Sequence, residues 1–360
     1  MVAAASSEGT RMLLHLLKPL VAMLAALSGP ISSGLPGSSP QLSFDTRGTV
    51  RIIFGHQDTI LAITSTDQGR TFGKPLVVGI VPDMHLGNTR GPVIASSRTR
   101  SLVAAVDNAG NIHLFQLDHA AGTWQPLPGT LNDKPGSAPE GLMTLAADDA
   151  GDFFATWLDV RVQHHNQVFF SRSSSIAGNL SWTPNAQVNT SPLGSACECC
   201  RPGIAVANGT VAIMFRNNLN GARDMYLATS MDHGRTFSAA RLLGRGTWKL
   251  DACPMDGGAV HVAASGQITT LWRRESTLYT ARPDEAEVAI GTGRSPMMSI
   301  GPSAAFVIWQ DGEQIRLTDM NGRNPVVIAD GRLPQVLALP DGRALTAWEK
   351  SGAVFYRRID

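Results

Sequence analysis

The chain has 360 residues, of which 43% are hydrophobic and 16% charged, and its formal net charge is +1. This balanced charge argues against a nucleic-acid-binding protein, which normally carries a basic surplus, and the hydrophobic share argues against intrinsic disorder. Glycine (36 residues) and proline (21 residues) are both frequent, which predicts a turn-rich protein.

The first 40 residues have the character of a targeting segment. A basic stretch at 11–18 precedes the short apolar run 19–27, and small residues and prolines follow as far as Pro40. This order is typical of a secretory signal peptide, and the apolar run is shorter than the roughly 20 residues of a membrane span. We therefore expect a signal peptide and disordered leader over 1–40, with an N-terminal membrane anchor as the alternative. The mature chain, 41–360, would be secreted or periplasmic and without a membrane span.

One unit recurs along the rest of the chain. Each copy has a proline- or glycine-rich entry, an apolar strand, a tight turn and a second strand that usually ends in an aromatic residue; a third strand follows. The copies occupy 39–55, 90–107, 140–159, 201–217, 255–274, 295–311 and 333–350. Units of this kind are typical of propeller blades, whereas stacked β-sandwiches would not repeat so regularly. The sequence predicts an all-β fold, a single β-propeller of seven blades, with six blades as the alternative.

A second motif, S-x-D-x-G-x-T-F, follows the third strands of the first and fourth units, at 65–72 and 230–237. In such a turn the aspartate accepts backbone hydrogen bonds, the glycine adopts a conformation closed to other residues, and the aromatic plugs the blade. The residues concerned are Asp67, Gly69, Phe72, Asp232, Gly234 and Phe237. The pattern resembles the Asp-box, or BNR repeat, of the sialidase superfamily, and the resemblance covers 41–360. It implies that the boxes are structural and lie away from the active site.

Charged residues recur at the entries to the inner strands of the second to seventh units. They are Arg90, Glu140, Arg201, Asp256, Arg294 and Arg332. Because they occupy one position of the repeat, we expect them to surround the central axis, joined by Arg216 and Arg223 from the turns that follow the second strands. Arginines around a funnel can bind an anionic ligand through their paired donors. The alternative is that the arginines and carboxylates pair with one another and stabilise the blades.

Sialidases of this superfamily hold the substrate carboxylate with three arginines, and use a tyrosine nucleophile paired with a glutamate and an aspartate as acid/base. The resemblance implies an arginine triad of Arg90, Arg201 and Arg294. It likewise implies that Glu140 is the partner carboxylate and that Asp159 or Asp256 is the acid.

The tyrosines depart from that pattern. The chain has three, Tyr226, Tyr279 and Tyr356, and each lies within a third strand. We therefore expect a monomeric propeller that binds an anionic carbohydrate or another small anionic ligand, without a cofactor, and not a standard exo-sialidase. A glycoside hydrolase of sialidase type with an altered nucleophile is the alternative.

All four cysteines occur in two entry loops, which contain Cys197, Cys199 and Cys200 in one and Cys253 in the other. The loops open neighbouring units, so the thiols should lie close together. In an exported chain four cysteines predict disulfides, with Cys199 or Cys200 bridged to Cys253 and Cys197 in the other bridge. One alternative is a copper(I) or zinc site of Cys197, Cys200 and Cys253 in a metal-handling propeller; another is free or redox-active thiols.

Overall fold

The structure, a computed structural model, describes residues 31–176, 179–189 and 194–360. Residues 1–30 of the predicted signal peptide and leader, 1–40, lie outside the described residues. Every helix or strand within the described ranges is a β-strand, so they contain no helix that could cross a membrane.

The strands of the described residues form seven antiparallel sheets, which follow one another along the chain as the blades of a propeller. The first strand of the described residues is β1 (Leu35–Pro36), which belongs to blade 7. Blade 1 contains β2 (Ser38–Phe44), β3 (Val50–His56), β4 (Thr59–Ser65) and β5 (Leu76–Ile80). Blade 2 contains β6 (Val93–Ser96), β7 (Arg100–Val106), β8 (Ile112–Asp118) and β9 (Trp124–Pro126). The prediction of an all-β, seven-bladed propeller is confirmed, and the six-bladed alternative is wrong.

The remaining blades have the same plan, with an extra strand in blades 3 and 4. Blade 3 contains β10 (Met143–Ala147), β11 (Phe153–Val162), β12 (His165–Ile176), β13 (Asn179–Trp182) and β14 (Ala186–Asn189). Blade 4 contains β15 (Gly194–Ala196), β16 (Gly203–Ala207), β17 (Thr210–Leu219), β18 (Met225–Ser230) and β19 (Arg241–Leu242). Blade 5 contains β20 (Ala259–Val262), β21 (Ile268–Arg274), β22 (Thr277–Ala281) and β23 (Val288–Thr292). Blade 6 contains β24 (Arg294–Ile300), β25 (Ala305–Asp311), β26 (Gln314–Asp319) and β27 (Val326–Asp330). Blade 7 contains β28 (Arg332–Ala338), β29 (Ala344–Lys350) and β30 (Ala353–Ile359), together with β1.

Blade 7 closes the ring with strands from both parts of the chain. Its strand order is β1-β30-β29-β28, and Leu35 pairs with Val354 while Pro36 pairs with Ala353. The folded domain therefore begins before the predicted boundary at residue 41, because the last six residues of the expected leader complete blade 7 and start the inner strand of blade 1.

Packing between blades buries the aromatic residues at the ends of the second strands. Trp157, Trp272, Trp309 and Trp348 are each at most 2% exposed. Trp309 of blade 6 packs in a cluster with Leu271 of the preceding blade, and the other tryptophans repeat this arrangement. Truncating such a side chain typically costs about 3–5 kcal/mol. In these four blades the repeated aromatic position therefore packs the blade against the one before it.

Alternation of the antiparallel strands assigns the loops to two faces. The loops that enter the inner strands and the turns between second and third strands share one face, which we call the entry face. The turns between first and second strands and between third and fourth strands share the opposite face. We call it the box face, because both Asp-box sequences follow third strands and therefore lie there.

The two Asp-box turns have matching hydrogen bonds. In the first, Gly69 N–H donates to Ser65 Oγ (2.8 Å), and the amide and hydroxyl of Thr71 donate to the Asp67 carboxylate (2.9 and 2.6 Å). In the second, the corresponding three bonds around Asp232 have the same lengths. Gly69 and Gly234 both have φ of 78°, in the left-handed region.

The aromatic residues of the two Asp-boxes contact the preceding blade as well as the blade that they were predicted to plug. Phe72 of blade 1 packs on Tyr356 of blade 7, with ring centroids 4.7 Å apart, and Phe237 of blade 4 packs on Phe170 of blade 3 at 5.0 Å. Each aromatic therefore bridges to the preceding blade in addition to covering its own.

Candidate ligand channel and cysteine cluster

The inner strands surround a channel at the entry face, with a cavity of about 170 Å³. Its walls are formed by 39–41, 201–204, 256–260, 295–298 and 333–335, together with Thr89 and Thr144. Arg201 and Asp256 are the charged residues of this lining, and prolines, methionines and small residues form most of the remainder. The channel therefore suits a small ligand that is partly apolar and carries little charge.

Arg201 has no carboxylate partner within the described part of the chain. Its Nη2 donates to the carbonyl oxygen of Thr89, and its Nε is buried without a hydrogen-bond partner. Burial, followed by the nearby charge of Arg90, lowers the pKa of Arg201 to about 10. The side chain thus remains a cation at neutral pH, held against a channel wall without a counterion, an arrangement that an anion would stabilise.

Arg90 and Glu140 pair with each other beside the channel. Arg90 Nη2 lies 3.2 Å from Glu140 Oε2, and Arg90 Nε donates to the Glu140 carbonyl oxygen at 2.6 Å. Neither residue is part of the cavity lining. This pair follows the alternative interpretation, in which arginines and carboxylates at the entry face neutralise one another.

Arg294 and Arg332 lie outside the lining, where Ser295 and Leu333 take their place. β-Bulges interrupt the pairing just after both arginines, and Ser295 and Leu333 have left-handed φ of 51° and 50°. The bulge shifts the next residue toward the channel. Arg294 is exposed, whereas Arg332 pairs with the buried carboxylate of Glu349 (Nε to Oε2 3.1 Å). The expected triad of Arg90, Arg201 and Arg294 is therefore not assembled around the channel.

Asp256 is 2% exposed and binds two arginines. Arg273 Nε lies 2.6 Å from Oδ2, Arg216 Nη2 lies 3.4 Å from Oδ1, and the Ser295 amide donates to Oδ2 at 3.2 Å. Burial raises the pKa of Asp256 despite the two guanidiniums. Trp248 stacks against both arginines, with distances of 5.3 and 5.1 Å from the guanidinium carbons to its ring. Asp256 and Arg216 thus form a buried structural network at the edge of the channel.

Asp159 is fully buried and away from the channel lining. Its carboxylate accepts hydrogen bonds from Ser137 Oγ (2.6 Å), Trp157 Nε1 (2.9 Å) and Arg161 Nε (2.9 Å). This set of donors holds the carboxylate against Arg161, so the structure does not bring it together with Arg201.

The three tyrosines pack within the blades. Tyr226 stacks on Phe215 and Tyr279 on Trp272, with centroids 6.2 and 6.1 Å apart, while Tyr356 contacts Phe72. The lining of the channel includes none of them.

The four cysteines are free thiols; the disulfides that the sequence favoured are not formed. Cys197, Cys199 and Cys200 are buried side by side, whereas Cys253 is exposed. Cys197 Sγ lies 3.5 Å from Cys199 Sγ and 3.2 Å from Cys200 Sγ, well beyond the S–S bond length of about 2.05 Å. Hydrogen bonding with the neighbouring thiols of Cys199 and Cys200 lowers the pKa of Cys197. The contact with Cys197 raises the pKa of Cys199, and burial raises that of Cys200.

Arg223 stabilises this cysteine cluster. Its Nη1 lies 3.3 Å from Cys197 Sγ and 2.9 Å from Glu198 Oε2. Because both contacts are made within the fourth blade and its entry loop, Arg223 belongs to the cluster and not to the channel lining.

Comparison with known proteins identifies the class of fold. No family model and no curated protein matches the sequence. Among solved structures, the match to a PL25 ulvan lyase covers 90% of this chain and 95% of the lyase chain, with 9% sequence identity and a TM-score of 0.57. Virginiamycin B lyase from Staphylococcus aureus matches 92% and 100% at 14% identity (TM-score 0.54), and the Hadza microbial sialidase Hz136 matches 90% and 66% at 14% identity (TM-score 0.53). These similarities, with the seven sheets, define the protein as a β-propeller.

Proposed function

We propose that this protein is a sialidase-like propeller whose channel binds one small anionic ligand, a sugar acid, through Arg201. The observation that carries the proposal is the guanidinium of Arg201, which lines the cavity without a carboxylate partner among the described residues. A carboxylate is the natural complement, since an arginine offers it two parallel donors.

The surrounding charges favour a ligand with a single acidic group. Arg90 is paired with Glu140, Arg223 with Glu198, and both Arg216 and Arg273 with Asp256. Arg201 is left as the cation available to the cavity. The apolar walls would then contact the hydrophobic faces of the sugar ring.

The fold comparisons agree with a carbohydrate ligand. A sialidase and an ulvan lyase share the propeller architecture, and the ulvan lyase structure is described as bound to -[GlcA(1-4)Rha3S]-, an acidic saccharide. We infer only the class of ligand from these two neighbours, because sequence identities of 9–14% do not allow residue roles to be transferred.

Binding without sialidase chemistry fits the channel best. Most glycosidases need two carboxylates at the scissile bond, whereas the lining contributes Asp256, which two arginines already hold. The sialidase nucleophile has no counterpart in the lining either, as the tyrosines lie in the blades. We further propose that the protein is exported through its N-terminal segment and acts as a monomer.

Calorimetric titration with glucuronate, galacturonate and N-acetylneuraminate, against neutral galactose, tests the proposal. We expect at least one acid to bind, galactose not to bind, and Arg201→Gln to weaken binding at least about tenfold, as expected for loss of a charge-assisted bond. Arg294→Gln is the matched control, since it removes an arginine from an equivalent entry outside the lining. Equal effects of the two variants, or turnover of a fluorogenic sialoside, would overturn the proposal.

A further inference from the structure

Three buried thiols converge on one turn of the entry face. The sulfur atoms of Cys197, Cys199 and Cys200 all lie within 4.8 Å of one another. Three cysteines in a four-residue turn have no part in the proposed sugar-acid site, although Cys200 directly precedes Arg201. The convergence of these three thiols therefore requires a separate explanation.

The backbone holds this turn firmly. The amide of Cys200 donates to the Cys197 carbonyl oxygen at 3.2 Å, closing the turn, and the Cys197 amide donates to the Arg216 carbonyl oxygen at 2.7 Å. Just before the turn, β15 pairs with the outer end of β17, with Ala196 opposite Asn217. The thiols are thus preorganised by blade 4 and need no large movement to act together.

The surroundings suit a thiophilic cation. Met255 packs against the three cysteines, which brings a thioether-bearing side chain to the cluster. The carboxylate of Glu198 is bound by Arg223, whose Nη1 also lies 3.3 Å from Cys197 Sγ. That guanidinium offsets the negative charge that three thiolate ligands would bring, and no histidine or carboxylate belongs to this group of candidate ligands.

The ligand number selects the metal. Two thiolates on one tetrahedral zinc ion lie about 3.8 Å apart, given Zn–S bonds of about 2.3 Å, so the observed 3.2 and 3.5 Å are close to a bound geometry. Structural zinc sites almost always have four ligands, whereas this group has three; Cys253, which is exposed, adjoins Cys199 but does not belong to the group. Copper(I) accepts three sulfur ligands and is favoured by thiolate and thioether surroundings.

We propose that Cys197, Cys199 and Cys200 bind one copper(I) ion, with the thioether of Met255 beside it. The site differs from the three-residue set that the sequence suggested, because Cys199 replaces Cys253.

The test uses the full-length protein, reduced and kept anaerobic, titrated with copper(I) in competition with a chromophoric copper(I) chelator. We expect one copper(I) per chain, and an X-ray absorption spectrum of the loaded wild type with three sulfur neighbours. Cys197→Ser and Cys200→Ser should weaken binding roughly 100-fold or more, since even outer-shell changes commonly cost 10–100-fold. Cys253→Ser removes the thiol that adjoins Cys199 from outside the group of three, and should retain one copper(I) with the three-sulfur spectrum.

Three results would overturn the proposal: no copper(I) retained against the chelator, zinc(II) displacing copper(I) at equal concentration, or a stable Cys197–Cys200 disulfide in protein prepared without reductant that persists when copper(I) is added. The wild-type spectrum decides the matter even if a serine variant fails to fold. Arg201→Gln should bind copper(I) normally, so that failure of the sugar-acid proposal and failure of the copper proposal are distinguishable.

Discussion

Nη2 of Arg216, on β17 of blade 4, lies 3.4 Å from Oδ1 of Asp256, which precedes the inner strand of blade 5. Arg273 Nε lies 2.6 Å from Oδ2 of the same carboxylate. Asp256 therefore joins neighbouring blades at the channel mouth and balances two guanidiniums that are almost withdrawn from water. Its position at the channel lining reflects this structural task as much as any contact with a ligand.

Replacing Asp256 by Asn should destabilise the protein severely. The change keeps the volume but leaves Arg216 and Arg273 without their counterion, and removing one partner of a buried ion pair typically costs about 3–5 kcal/mol. Chemical denaturation measures the loss of unfolding free energy. Glu285→Gln, which breaks the exposed pair with Arg282, is the control and should change stability by less than about 1 kcal/mol. Similar losses in both variants would contradict the role assigned to Asp256.

Arg332 and Arg294 occupy equivalent entries, yet their replacement should have different effects. Arg332→Ala leaves the buried Glu349 without its guanidinium partner and should cost about 1–3 kcal/mol of unfolding free energy. Arg294→Ala should be nearly neutral, because Arg294 is exposed and forms no ion pair with any described residue. Thermal and denaturant unfolding of the two variants provide the comparison; a larger loss for Arg294→Ala would show that the bulge geometry is misassigned.

Asp232→Ala should lower the melting temperature without changing sugar-acid affinity. The Asp232 carboxylate holds the amide and hydroxyl of Thr236 in the second Asp-box turn, and that turn lies on the face opposite the channel. Asp284→Ala, which removes an exposed carboxylate paired with Arg241, serves as the control for loss of surface charge. Weaker ligand binding by a fully folded Asp232→Ala protein would place the box on the ligand face.

The first Asp-box should contribute a pH-dependent stability. Partial burial opposes the effect, but hydrogen bonds from Thr71 and Ser65 outweigh it and lower the pKa of Asp67 to about 2. An unfolded aspartate titrates near 3.9, so this contribution is present above about pH 4 and is lost as the pH falls toward 2. The difference in melting temperature between wild type and Asp67→Ala should therefore be larger at pH 5 than at pH 2.5. A constant difference would argue against an ionised Asp67 in the turn.

The fold was predictable because the repeat carries its own evidence. Short strands, tight turns and a recurring aromatic such as Trp309 or Trp348 specify a blade locally. The number of repeats then gives the number of blades in the ring. The two Asp-box sequences were equally informative, since their hydrogen bonds are made within eight residues.

The site was less predictable because it depends on one-residue shifts and on partners from other blades. The bulges that turn Ser295 and Leu333 toward the channel could have been inferred from the shared Gly-x-x-Pro entries at 37–40, 293–296 and 331–334, which align the proline and not the arginine. Nothing in the sequence, however, says which arginine has a carboxylate opposite it. The proximity of the cysteines followed from the repeat, but the exclusion of Cys253 from the buried group did not.

The pairing of β1 with β30 also governs how the molecule is assembled. Leu35 and Pro36 pair with Val354 and Ala353, so β1 has no partner strand until synthesis has passed residue 354. Blades 1–6 can form in order of synthesis, whereas blade 7 is completed only when both β1 and β30 are present. A product truncated before residue 353 would lack β30 and leave β1 without its partner strand, a defect that quality-control proteases could recognise.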